Sequence, residues 1–197
     1  MNRVLSILSI GLALTGCAVY SVPLWGPLEP QSPTTCEVTA VRDIAYREGP
    51  EADSFRNRLD LYLPQGRKDF PVVVLVHGGG WMVGDNRCCG LYSSVGDFFA
   101  RHGIAAVMPN YRLSPAVRHP EHAQDVARAV AWTKAHIAEY GGRPDQLILA
   151  GHSAGGHLVS LVASDESYLR AEGLTTDDLR GVIAVSGVYR IPEGNME

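Results

Sequence analysis

The stretch Gln146-Leu147-Ile148-Leu149-Ala150-Gly151-His152-Ser153-Ala154-Gly155-Gly156-His157-Leu158-Val159-Ser160-Leu161-Val162-Ala163 decides how the rest of this 197-residue chain is read. Leu147 to Ala150 are apolar on both faces, as a strand buried inside a parallel sheet is. The residues from Gly156 onward read as a helix. Ser153 is pinned between the two, where a tight turn brings neighbouring backbone close and demands small flanking residues. Ala154, Gly155 and Gly156 supply them.

Phe70–Val76, Ile104–Met108 and Gly181–Val185 share that two-faced apolar character. Between them, Pro120 to Tyr140 places Ala123, Val126, Ala127, Val130, Ala131 and Ile137 on one stripe at helical spacing. Pro120 suits a first turn and Gly141-Gly142 a stop. Strands alternating with helices predict right-handed βαβ units and a mostly parallel sheet. Glu37–Tyr46 and Arg58–Leu63 instead alternate polar with apolar and read as an antiparallel pair at a sheet edge. The expected fold class is α/β: one domain beginning near Cys36, with a mostly parallel central sheet flanked by helices.

A lone Gly-x-Ser-x-Gly is weak evidence, but its place between strand and helix makes Ser153 a candidate nucleophile. The start of the following helix adds positive partial charge, and the Ala154 N–H becomes a donor to an oxyanion. A second phrase supplies more donors: His77-Gly78-Gly79-Gly80-Trp81 closes the Phe70–Val76 strand. Consecutive glycines let backbone N–H groups turn into a pocket without Cβ interference. Gly79 and Gly80 are the expected donors, with Gly78 a further candidate. His77 is read as a brace for the loop. Trp81 either lines an acyl pocket or plugs the packing beneath it.

These phrases, with Asn110-Tyr111-Arg112-Leu113 between them, resemble the α/β-hydrolase superfamily. Within it they are similar to feruloyl-esterase-like carboxylesterases and to the isoprenylcysteine methylesterase and kynurenine formamidase groups. The resemblance runs from about Val41 to Tyr189. It implies an α/β-hydrolase fold and a serine hydrolase of carboxylic esters. The nucleophile would be Ser153, and the oxyanion hole Gly79, Gly80 and Ala154. It also suggests a structural ion pair between Arg112 and Asp125. In these families the acid and the histidine follow the serine on later strands. Here the one histidine after Ser153 is His157, four residues on in the same helix, read as structural. Asp165, Asp177 and Asp178 come earlier than the family's acid. The expectation is a hydrolase domain lacking its last strands, with its triad Asp and His missing. Formamide hydrolysis, or a non-catalytic binding protein on the same scaffold, are the alternatives.

The N-terminus reads separately. Arg3 precedes the nearly uncharged apolar run Val4–Leu14, too short to span a bilayer and suited to the core of an export signal. Leu14-Thr15-Gly16-Cys17 resembles a bacterial lipobox, which makes Cys17 the expected lipid-attachment residue of an exported, envelope-anchored protein. An ordinary signal or an uncleaved anchor are the other readings. Residues 18–35 carry Pro23, Pro27, Pro30 and Pro33 and read as an extended tether. Cys36, Cys88 and Cys89 follow; a bridge from Cys36 to either of the others and three unpaired thiols are both open. The adjacent cysteines lack zinc spacing, so no metal and no cofactor is expected. A net charge of −4 without a basic cluster gives no reason for nucleic-acid binding. The expected partner is a small-molecule ester, with membrane contact only through Cys17.

Overall fold

The apolar runs align as one sheet in the computed structural model, which describes residues 35–190 and the backbone of the short strand Leu8–Ile10. The strands are β1 (Leu8–Ile10), β2 (Val38–Ala45), β3 (Arg58–Pro64), β4 (Phe70–Val76), β5 (Ala105–Pro109), β6 (Gly142–His152) and β7 (Leu179–Val185). The helices are α1 (Leu91–Arg101), α2 (Glu121–His136), α3 (Ala154–Ser164) and α4 (Ser167–Ala171). Across the sheet the order is β1-β7-β6-β4-β5-β3-β2. β4 runs parallel to β5 and β6, and β7 parallel to β6 and β1. β3 is antiparallel to both β2 and β5. The sheet is therefore mostly parallel with an antiparallel pair at one edge.

Alternation along β4 explains why both faces are covered. Val72, Val74 and Val76 pack in one core with Val126 and Val130 of α2 and Leu158, Val159 and Val162 of α3. Val73 and Leu75 face the other way, into a second core with Tyr92 and Ala100 of α1. Each fully buried Val or Leu contributes about 1.5–3 kcal/mol, so the central strands need helices on both sides. On α2 the predicted stripe is buried at Ala123, Val126, Ala127, Val130 and Ile137, while Ala131 is only partly covered. The helix tightens into a 3-10 turn over Ile137–Tyr140 and stops at Gly141, whose φ is 89°.

Three features depart from the sequence reading. α1 forms despite Ser93, Ser94 and Gly96, because tertiary packing overrides weak propensity. A Cβ on Gly96 would lie 2.7 Å from Met108 Sδ and from the Tyr62 ring, so the glycine lets α1 sit close on the sheet. β6 starts at Gly142 rather than at Gln146, because Gly142 pairs with Phe70. The bridge from Cys36 is also excluded: Cys36, Cys88 and Cys89 are all free. The Cys36 N–H bonds Arg101 O at the C-terminal end of α1, whereas Cys88 and Cys89 precede its N-terminal end. Eleven helical residues separate them, about 16 Å at 1.5 Å per residue and far beyond the roughly 7 Å limit between bridged Cα atoms.

Leu8–Ile10, part of the run read as an export signal, pairs with Ile183–Val185 and occupies the outer edge of β7. Cys17 and the proline-rich segment up to residue 34 lie outside the described residues.

Candidate active site

β6 ends at His152, and Ser153 turns the chain with φ 54° and ψ −118° before α3 begins at Ala154. A non-glycine residue in that region carries about 1–3 kcal/mol of strain and persists only where its surroundings hold it. Ser153 N–H donates to Val185 O at 2.8 Å, and Ser153 O accepts the His157 N–H at 3.0 Å. Both glycines of the motif are required by contact. A Cβ on Gly151 would overlap the Gly155 carbonyl, and one on Gly155 would overlap the Val76 carbonyl and lie 2.5 Å from His77 O. α3 thus crosses directly over the end of β4. Ser153 itself is partly exposed.

The glycine loop leaves that same end of β4. A Cβ on Gly78 would lie 3.0 Å from Ser153 Cβ and 3.0 Å from His152 O, so the two motifs are in contact. Tyr92, buried near the start of α1, ties them together. Its hydroxyl accepts the Gly78 N–H at 2.7 Å and lies 3.0 Å from His152 Nδ1. The Gly78 N–H is therefore engaged, which removes it from the candidate donors.

Peptide planarity sets the direction of the remaining amides, since C=O and N–H of a trans unit point opposite ways. His77 Nδ1 donates to Gly78 O at 2.7 Å, which turns the Gly79 N–H away from His77. Gly79 O accepts N–H groups from Met82 at 3.1 Å and Val83 at 3.0 Å, which turns the Gly80 N–H away from that strap. The loop bends at Gly79 (φ 124°) and Gly80 (φ 59°); at Gly79 a Cβ would run into the Val83 carbonyl. Neither amide, nor that of Ala154, bonds to another described residue.

His77 is 1% exposed and stacks on Tyr111 at 4.4 Å between ring centres. Burial pushes its pKa down to about 4, with the hydrogen bond to the Gly78 carbonyl opposing it. The ring is thus neutral at pH 7. Its proton sits on Nδ1, because a carbonyl can only accept. Nε2 is left as a buried lone pair without a partner. This is the geometry of the expected brace.

Trp81 packs edge-to-face on His157 at 5.3 Å and joins the larger core, so it fills space between loop and helix. Burial lowers the His157 pKa, with His119 adding repulsion. Its Nδ1 has no partner, and no hydrogen bond joins its ring to the Ser153 hydroxyl. Among the described residues no side chain hydrogen-bonds Ser153 Oγ. The Arg112–Asp125 pair is present and bidentate, at 2.7 and 2.9 Å, with the Arg112 N–H adding a third bond at 3.0 Å. Among the described residues no group of His, Cys, Asp or Glu is placed to hold a metal ion. A cleft of about 480 Å³ opens beside the loop between Met82, Arg56 and Ser114–Val117, and Ser153 is not in its wall.

Tyr92 is the residue the sequence reading missed. The signal was available: Tyr92, Val95 and Phe99 recur at helical spacing, and the three pack into the second core.

Residues 59–186, from β3 through both loops to the end of β7, match the BD-FAE family. The chain belongs to the BD-FAE family. It is similar to the "probable carboxylic ester hydrolase LipM" of Mycobacterium tuberculosis, with 40% identity over 75% of this chain and 34% of the relative. It is also similar to a "probable isoprenylcysteine alpha-carbonyl methylesterase" of Oryza sativa subsp. japonica, at 31% identity over 76% of this chain and 35% of the relative. Among solved structures, esterase B of Lactobacillus rhamnosis superposes with a TM-score of 0.63 at 30% identity, over 77% of this chain and 48% of that one. The fold of this BD-FAE member is thus the α/β-hydrolase fold of known esterases. The chain spans about a third of the length of the curated relatives it matches.

Proposed function

We propose that this site carries out nucleophilic attack and oxyanion binding in the hydrolysis of a small-molecule carboxylic ester. Ser153 Oγ attacks the ester carbonyl carbon. The carbonyl π electrons move to oxygen, and that oxyanion is held by the N–H groups of Gly79, Gly80 and Ala154. These N–H groups have no partner among the described residues, and oxyanion binding lowers a barrier most where the donors are in place before the reaction begins. The N-terminus of α3 adds its partial positive charge to the same point.

One observation carries the reading: the glycine loop packs against the bend so closely that a Cβ on Gly78 would lie 3.0 Å from Ser153 Cβ. The esterase relatives and the shared fold support an ester as substrate. Proton removal from Ser153 requires a base, and His157, packed under Trp81, is not given that role. No metal or cofactor enters the scheme.

The test is active-site labelling. In a form of the protein extended through the acid and histidine that the resemblance implies, a fluorophosphonate probe should modify Ser153, located by peptide mapping, with the Ser153→Ala variant of that form unlabelled at that peptide. Equal labelling of the two proteins removes Ser153 from the chemistry.

On residues 4–17 we further propose export and acylation at Cys17. Cleavage before Cys17 removes Leu8–Ile10 from the β7 edge. Radiolabelled palmitate should enter the protein in a bacterial host and be lost in Cys17→Ser; incorporation that survives the substitution refutes the anchor.

A further inference from the structure

We propose that Cys88 and Cys89 form a vicinal dithiol site that closes reversibly to a ring disulfide by exchange with a small-molecule disulfide. The site is separate from Ser153 and does not rest on the reading of that serine.

Neighbouring side chains on an extended chain point to opposite sides, so adjacent cysteines ordinarily hold their sulfurs apart. Here the backbone is turned to bring them together. Cys89 has φ 54° and Gly90 φ 73°, two consecutive left-handed residues just ahead of α1. The two Sγ atoms lie 3.5 Å apart. Bond formation needs an approach of about 1.5 Å, to the 2.0 Å of a disulfide.

The turn is anchored on both sides. Before it, Arg87 is held by Asp60 at 2.6 Å and by Asp43 at 2.8 Å, and the Cys88 N–H bonds Asp85 O at 3.2 Å. After it, the Gly90 N–H bonds Arg87 O at 3.0 Å and α1 begins. Cys88 packs partly on the second core, whereas Cys89 is exposed. Cys36 is buried beyond the far end of α1 and cannot compete for either sulfur.

The chemistry balances as two exchanges. Cys89, the open thiol, loses its proton and its thiolate attacks one sulfur of a disulfide RSSR, releasing RS⁻ and leaving Cys89–S–S–R. Cys88 then gives up its proton and attacks the Cys89 sulfur, releasing the second RS⁻. The net change is two protein thiols and RSSR going to one ring disulfide and two RSH, with two electrons passed from protein to reagent. Exposure sets the order, since Cys89 is open to the reagent and Cys88 packs partly on the second core; the hydrogen bond to Cys89 also raises the Cys88 pKa. Adjacent Cα atoms stand about 3.8 Å apart, short of the usual 4.4–6.8 Å across a disulfide. The ring is therefore strained, and mild thiols reopen it.

The experiment uses the reduced, folded chain and oxidised glutathione as the probe, followed by acid quench, alkylation and trypsin. Cleavage after Arg87 and Arg101 isolates residues 88–101, which carry both cysteines and neither Cys17 nor Cys36. The expected peptide is lighter by two hydrogens, resists alkylation, and takes two alkyl groups once dithiothreitol is added. Cys88→Ser should stop at one glutathione adduct on Cys89. Glutathione on both cysteines of the wild-type peptide, a cross-link to the Cys36 peptide, or two free alkylatable thiols after treatment would each overturn the proposal.

Discussion

Replacing Tyr92 by Phe removes one oxygen and leaves the ring in its core. That oxygen accepts the Gly78 N–H at 2.7 Å and meets His152 Nδ1 at 3.0 Å. His152 is partly exposed, so its ring recovers a bond from water. The Gly78 N–H is buried and recovers nothing; an orphaned buried donor costs about 1–3 kcal/mol. The expected loss is about 2 kcal/mol, a roughly 30-fold fall in the folded-to-unfolded ratio. With a urea slope of about 2 kcal/mol/M, the unfolding midpoint falls by about 1 M at unchanged slope. Phosphonate labelling of Ser153 in the extended form should slow by about tenfold in the same variant, because the loop that carries Gly79 and Gly80 loses its tie to His152 beside the bend; outright loss of one donor, on the order of 10²–10³, sets the upper limit. A midpoint shift below about 0.2 M with unchanged labelling would refute the claim that this hydroxyl aligns the two loops.

Other outcomes follow from the same contacts. Ser153→Gly relieves the strained φ and ψ at the bend and should raise stability by about 1 kcal/mol while ending phosphonate labelling; a lower urea midpoint contradicts the strain argument. Asp125→Ala strands the Arg112 guanidinium and leaves Arg128 with Glu172 alone. It should cost about 3 kcal/mol, and an unchanged thermal midpoint would count against a structural ion pair. His77 is neutral in the folded chain because its pKa falls from 6.5 to about 4. Its contribution is complete above pH 6.5 and is lost as pH falls towards 4, in total about 3 kcal/mol. His77→Asn, which keeps a donor for Gly78 O, should flatten stability between those limits; a parallel pH profile for the variant would refute the buried neutral ring.

The strands and the two motifs were legible because burial on both faces leaves an unbroken apolar run, and because close backbone approach admits only glycine. Phe70–Val76 shows the first and Gly155 the second. The Arg112–Asp125 pair came from resemblance and not from spacing, which says nothing about contacts across thirteen residues. What stayed hidden depends on tertiary contact. Gly78 resembles Gly79 and Gly80 in the text, and only the Tyr92 hydroxyl distinguishes its N–H from theirs. α1 was obscured by serines and a glycine that packing, not propensity, accounts for. The Cys36 bridge was open in the sequence and is closed by the length of α1. No residue spacing could reveal that Cys88 and Cys89 face each other, since that depends on a positive φ at Cys89.

The most direct measurement is a crystal structure of the form extended through the implied acid and histidine, with Ser153 phosphonylated. The phosphonyl oxygen should lie within about 3 Å of the N–H groups of Gly79, Gly80 and Ala154. An adduct whose oxygen meets only water, with those amides turned elsewhere, would contradict it.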